Sequence, residues 1–216
     1  MKMSLMMIWT GKIMKNYYLV ILLLSIVLIQ SCSKKVVTRN YYVLEFPAQN
    51  EEIQKSKPLV NESCEIFAAN IPPAFSQSRI AVRTRSHEIS YYQKHLWAVA
   101  PGDLIVQLIE SYIQNENIFT KASQSIWKEV PIYRIYPYVQ QIEAQDIDDE
   151  LYAHLQMKID LFNSSDNSIV VSHQFERKEM LEERDINLLA ESLSKILQEE
   201  LQQFTIKIKS KLANES

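Results

Sequence analysis

The sequence predicts an α/β fold: a single domain with a mixed β-sheet packed between helices, a three-layer α/β/α-like arrangement. Three observations carry this. Leu151, Ala153, Leu155, Met157, Ile159 and Leu161 alternate without a break with Tyr152, His154, Gln156, Lys158 and Asp160, as a strand with one buried face does. Two segments instead repeat their apolar residues at helical spacing, and each could bury its stripe against a sheet. The order along the chain is strand, strands, helix, three strands, helix, with no internal repeat.

Tyr41–Phe46 (YYVLEF) reads as a first strand from its aromatic and β-branched content. Residues 47–63 are polar and read as a loop. Cys64–Ile71 (CEIFAANI) reads as a strand ended by Pro72-Pro73. Arg79–Arg85 (RIAVRTR) alternates apolar and basic residues, Ser86-His87 is a turn, and Glu88–Gln93 (EISYYQ) returns as the hairpin partner. Pro101-Gly102-Asp103 starts a helix. Proline suits a first turn, and Asp103 complements the positive end of the dipole. Leu104, Ile105, Leu108, Ile109, Tyr112 and Ile113 form its stripe, and Asn115-Glu116-Asn117 closes it. Val130–Ile142 is a long strand, Leu151–Leu161 the next, Asn163–Asn167 a turn, and Ile169–Phe175 its return. The last helix spans Asp185–Lys209, with Ile186, Leu189, Leu193, Ile196, Leu197, Leu201, Phe204 and Ile208 on one face.

The N-terminus is of another kind. Tyr17–Ile29 is an uncharged apolar run too short to span a bilayer, which needs about 20 residues. Lys12 and Lys15 precede it, and Ile29-Gln30-Ser31-Cys32 follows. This is the pattern of a lipoprotein signal, cut before Cys32, whose sulfur then carries diacylglycerol and whose amine carries an N-acyl chain. The alternative is an uncleaved anchor. Met14 opens a complete signal of its own, so residues 1–13 read as an extension from a misassigned start. The expected organisation is therefore a signal over 1–31, a lipidated polar tether over 32–40, one domain over 41–210 and a tail over 211–216. More than one acyl chain gives stable attachment. Ser33, rather than an aspartate, after the cysteine points to the outer membrane, facing the periplasm.

Composition excludes several functions. The formal charge is −3, and Lys2, Lys12 and Lys15 all lie in the signal, so the mature chain carries −6. That argues against nucleic acid, whose phosphates call for clustered Lys and Arg. Only Gly102 lies beyond the signal, so neither a phosphate-cradling loop nor a G-x-S-x-G elbow can be written. With Cys32 acylated, Cys64 has no partner in the chain and reads as a small buried apolar group. His87, His95, His154 and His173 show no metal spacing and read as surface or turn residues. Asp146–Glu150 lacks the glycine of a calcium loop and reads as a solvated turn.

A larger pattern runs through these elements. Cys32 is followed by Tyr42-x-Leu44, then by the proline-containing IPPAFSQSRIAVRTR, then by HEISYYQKHLWAVAP, in which a tyrosine-bearing strand leads to Trp97 and a helix. The chain resembles the ABC-type transport auxiliary lipoprotein family, of the paraquat-inducible protein C type, from Cys32 to about Phe204. Ile80–Arg83, Ile89-x-Tyr91 and Trp97 are the most specific pieces. Ser76-Gln77-Ser78-Arg79 stands where members often carry Asp-Arg-Pro-Gln. The resemblance implies a non-enzymatic periplasmic domain of a glycerophospholipid transport system. The implied partners are a mammalian-cell-entry (MCE) type substrate-binding protein and an ABC transporter permease and ATPase. It also implies self-association into a ring, with the lipoprotein as the outer-membrane end of the bridge. A lipid-binding or assembly module acting through an apolar cavity is the other reading.

Arg83, Arg85, Tyr91, Tyr92 and Trp97 fall on one hairpin and are the candidate contact residues for a partner or another protomer, since Trp, Tyr and Arg dominate binding hot spots. For Trp97 the sequence favours a core plug at the helix entry, with the aromatic anchor for a partner as the alternative.

Overall fold

The computed structural model describes residues 38–47, 57–126 and 130–214. The signal segment, Cys32 and the tether up to Val37 lie outside the described residues, as do residues 48–56 of the loop expected after Pro47. The strands are β1 (Asn40–Tyr42), β2 (Ser63–Ile66), β3 (Arg79–Arg85), β4 (Glu88–Trp97), β5 (Lys121–Ser123), β6 (Tyr133–Ile147), β7 (Glu150–Asn163) and β8 (Ser168–Met180). The helices are α1 (Pro101–Asn115) and α2 (Ile186–Ala213).

The segment expected as a solvated turn is mostly strand. Only Asp148 and Asp149 form the loop, both at positive φ (52° and 64°), as a two-residue hairpin of the I′ kind requires. The turn sets the register of β6 on β7, from Ile147 opposite Glu150 back to Gln141 opposite Gln156, before a bulge at Gln140. β8 pairs antiparallel with β7. The other edge of β6 carries two branches. β2 lies parallel to its start, with β5 beyond. β3 lies parallel to its end at Ala144 and Gln145, with β4 and then β1 beyond.

The alternation in β7 is realised. Leu151, Ala153, Leu155, Met157, Ile159 and Leu161 are all buried, and Ile135, Val139, Ile142 and Ala144 of β6 join them in one core. α2 packs on β7 and β8 through the stripe the sequence predicts, with Leu193, Leu197, Leu201, Phe204 and Ile208 buried. Each such side chain contributes about 1.5–3 kcal/mol by leaving water. Asp185 caps α2 by accepting the Asn187 N–H at 2.8 Å. α1 starts at Pro101, as expected, and buries Leu104, Ile105, Ile109, Tyr112 and Ile113. A Cβ on Gly102 would meet Ile71 Cγ2 at 3.3 Å, so glycine lets the helix start close to that segment.

The mixed α/β class therefore stands as expected, and the layering differs. α1 and α2 touch each other, with Lys209 paired to Glu116 at 2.6 Å, rather than lying on opposite faces of the sheet. Their stripes and the odd row of β7 feed one core. The even row is polar enough to do without a helix.

Other differences have local causes. β1 is short because the chain leaves the ladder: Leu44 is buried, Glu45 N–H donates to Ser194 Oγ, and Phe46 meets the Tyr112 ring edge-on. β2 ends at Ile66, although Phe67 and Asn70 still donate to β6 carbonyls. β4 runs on to Trp97. β5, only three residues long, has no signature in the sequence.

Candidate functional site

The five candidate contact residues do not form one cluster. Trp97 is 2% exposed and fills the core, so it is a plug and its ring is not presented to a partner. Tyr91 and Tyr92 are neighbours on β4 and so point to opposite faces. The Tyr91 hydroxyl donates to the Ala74 carbonyl, and the Arg79 guanidinium lies 4.9 Å from its ring centre. Tyr92 meets the His95 ring edge-on at 5.6 Å. Burial pushes its hydroxyl pKa up, and the Asp146 carboxylate adds to this against Arg184. Arg83 turns inward, and Nε donates to Glu143 Oε1 at 2.7 Å. Arg85 alone is fully in solvent, with a side chain 82% exposed and only a long 3.7 Å contact to Glu88.

Around Glu143 lies a polar cluster with no counterpart in the sequence expectations. It occupies the face of the sheet opposite the helices, built from β3, β6, β7 and β8. Glu143 is wholly buried. Gln145 Nε2 donates to its Oε1 at 3.0 Å, and His154 Nδ1 lies 3.2 Å from the same oxygen. His154 Nε2 reaches Glu176 Oε1 at 3.1 Å. Burial alone would raise the Glu143 pKa. The hydrogen bonds from His154, Arg83 and Gln145 outweigh it and bring the value down to about 2. Its other oxygen, Oε2, has no partner.

His154 and His173 are thus buried, not the surface residues expected. The pairing of His154 with Glu143 follows from the hairpin. Positions equidistant from Asp148-Asp149 face each other, so confining the turn to that pair would have found it. His173 belongs to a second cluster, beneath α2. Its Nε2 lies 2.8 Å from Glu200 Oε2, and Lys207 Nζ lies 2.8 Å from its Nδ1. An ammonium only donates, so Nδ1 accepts and Nε2 carries the hydrogen. Arg177 donates to Glu200 and Glu199 on α2 and to Glu179 on its own strand.

These clusters hold carboxylates, imidazoles and guanidinium groups, but neither offers a hydroxyl or thiol nucleophile beside a base. Cys64 is buried, and burial raises its thiol pKa well above the ordinary range. No group of three or more metal-ligating side chains occurs among the described residues. The two clusters form a polar scaffold within the domain, in which Glu143 Oε2 is left without a partner.

The comparisons with known proteins bear on what that scaffold serves. No curated protein matches the sequence. A crystal structure of a Xanthomonas campestris protein is similar, with TM-score 0.63 and 16% identity, over 83% of this chain and 98% of that one. The crystal structure of an uncharacterized protein also has TM-score 0.63, at 11% identity over 79% of this chain and 99% of that one. A PelC dodecamer from Paraburkholderia phytofirmans is more distant, with TM-score 0.38 and 14% identity over 67% of this chain and 93% of that one. The first two share the fold. The model of the ABC-type transport auxiliary lipoprotein component matches residues 42–204, from β1 to the middle of α2. The chain belongs to that family.

Proposed function

We propose that this protein is the auxiliary lipoprotein of an ABC and MCE type lipid transport system, and that it docks the conduit to the outer membrane. The family match over residues 42–204 carries this reading. In it, residues 1–31 are removed as a signal, Cys32 holds the acyl chains, residues 33–40 are the tether, and the domain acts without catalysis. A glycerophospholipid is the cargo, and the copies assemble as a ring. Arg85 and the half-exposed Tyr92 are the residues of the hairpin placed to meet a partner or a second protomer. Arg83 and Tyr91 support them from positions already bonded within the fold.

The test is affinity purification of the tagged protein from native membranes, with a Cys32→Ser control and mass spectrometry of the co-purified material. Recovery of an ABC permease and an MCE protein is expected. Recovery of lipid alone would overturn the adaptor reading.

A further inference from the structure

β1 is an edge strand: among the described residues its only strand neighbour is β4. Tyr42 O accepts from Ala98 N–H at 2.8 Å, so Tyr42 turns its backbone polar groups toward β4. Successive residues of a strand turn these groups to alternate edges. Tyr41 therefore aims its N–H and C=O away from the sheet, and Val43, the first residue beyond the strand, makes no backbone bond to β4 among the described residues. Both side chains are exposed, at 61% and 43%.

This edge does not face bulk solvent alone. α2 runs beside it, pinned at one end by the Glu45 N–H to Ser194 Oγ bond. Between strand and helix lies a groove of about 580 Å³, with Tyr41, Val43 and Glu45 on one wall and Asn187, Glu191 and Gln198 on the other. A strand edge flanked by a helix is the geometry in which an extended peptide adds a strand. Main-chain bonds then supply affinity, and pockets for alternate side chains supply specificity.

The charges define the peptide. Lys195, the one cation among the described residues that line the groove, reaches Glu179 at 3.6 Å. Glu45 and Glu191 make no ion pair among the described residues. The groove lining therefore carries two carboxylates against one ammonium, beside a strand edge that no other strand pairs among the described residues.

We infer that this groove is a docking site for an extended, basic segment of a partner protein, which pairs with Tyr41 and Val43 as an added strand and sets its cations against Glu45 and Glu191. The site stands independently of the transport reading, because any envelope protein presenting such a segment would fit it.

The probe is a fluorescent, end-blocked heptapeptide, Ser-Val-Lys-Val-Arg-Val-Ser, titrated against the full-length protein in zwitterionic detergent and followed by anisotropy. Saturable binding is expected. The double variant Glu45→Lys, Glu191→Lys should weaken it by about tenfold or more, the scale of losing a charge-assisted contact. Val43→Pro should do the same, since it removes an N–H that β4 does not use, with the thermal transition serving as the check on folding. Two further probes, N-methylated at alternate residues, need no altered protein. One should bind and the other should not, because only one edge of an added strand pairs. Absence of saturable binding, equal binding of the two methylated probes, or indifference to the charge reversal would each overturn the proposal.

Discussion

β7 carries two kinds of interior on one strand. Its odd residues meet helices and are apolar. Its even residues include His154 and Asp160, which are as buried as the apolar row although the helices lie on the other face. The polar row is covered by its own neighbours. Arg83, Gln145 and Glu176 fold over Glu143 and His154, and Lys158 and Ser172 close on Asp160. A charge can be hidden in a sheet without a second layer if long side chains from adjacent strands converge on it. The two faces should then fail differently: the apolar face by loss of packing at any pH, the polar face by loss of charge.

The largest effect is expected on the apolar face. Phe204→Ala empties a fully buried site under α2 and should cost about 3–5 kcal/mol in urea unfolding, with little change between pH 7 and pH 3. Glu143→Gln should cost about 3 kcal/mol at pH 7, because Arg83 keeps its charge and loses its partner. Here pH matters. The folded pKa is about 2 against an ordinary 4.5, so the carboxylate's contribution is complete above about 4.5 and fades as pH falls through about 2. The gap between parent and variant should narrow at pH 3. An unchanged gap would mean that the charge of Glu143 is not what stabilises this face.

The same contrast explains what could be read in the sequence. Arg79–Arg85 is found to the residue, and α1 begins at the expected Pro101, because alternation and a first-turn proline are local signals. The α2 stripe is local too. The buried polar row is not. Period-two reasoning assigns Tyr152, His154, Gln156, Lys158 and Asp160 to one exposed face, and nothing within β7 says that Arg83, 71 positions before His154, will help to cover it. β5 escapes for a related reason: three residues make no period, and they become a strand only by lying along β2. Trp97 shows the limit of residue-type arguments. An aromatic beside two tyrosines and two arginines suits an interface, its place at a helix entry suits a plug, and its burial decides for the plug.

A smaller effect separates the two histidines. His173 joins a helix to the sheet, whereas His154 joins strands to one another. His173→Phe keeps the ring contact with Phe204 but removes the bonds to Glu200 and Lys207, leaving Arg177 to hold Glu200. The expected cost is about 1–2 kcal/mol. Amide exchange should quicken along the second half of α2 and stay slow in β6 and β7. Uniform loss of protection across the sheet would show that the cluster braces the whole fold rather than the helix.

The smallest effect on stability is expected where the largest effect on partners is proposed. Arg85 sits at the end of β3, exposed, with one long contact to Glu88. Such a pair contributes little, so Arg85→Ala should change unfolding by no more than about 0.5 kcal/mol. Arg83→Ala, two residues away, strands Glu143 without its guanidinium and should destabilise the fold by several times that amount. The two substitutions therefore separate interface from scaffold. Under the docking reading, Arg85→Ala, and more strongly Arg85→Ala with Tyr92→Ala, lowers recovery of the MCE partner from membranes while the thermal transition stays near that of the parent. If recovery is unchanged for both, the β3–β4 hairpin is not the contact surface. Any loss seen with Arg83→Ala would then follow from the buried cluster alone.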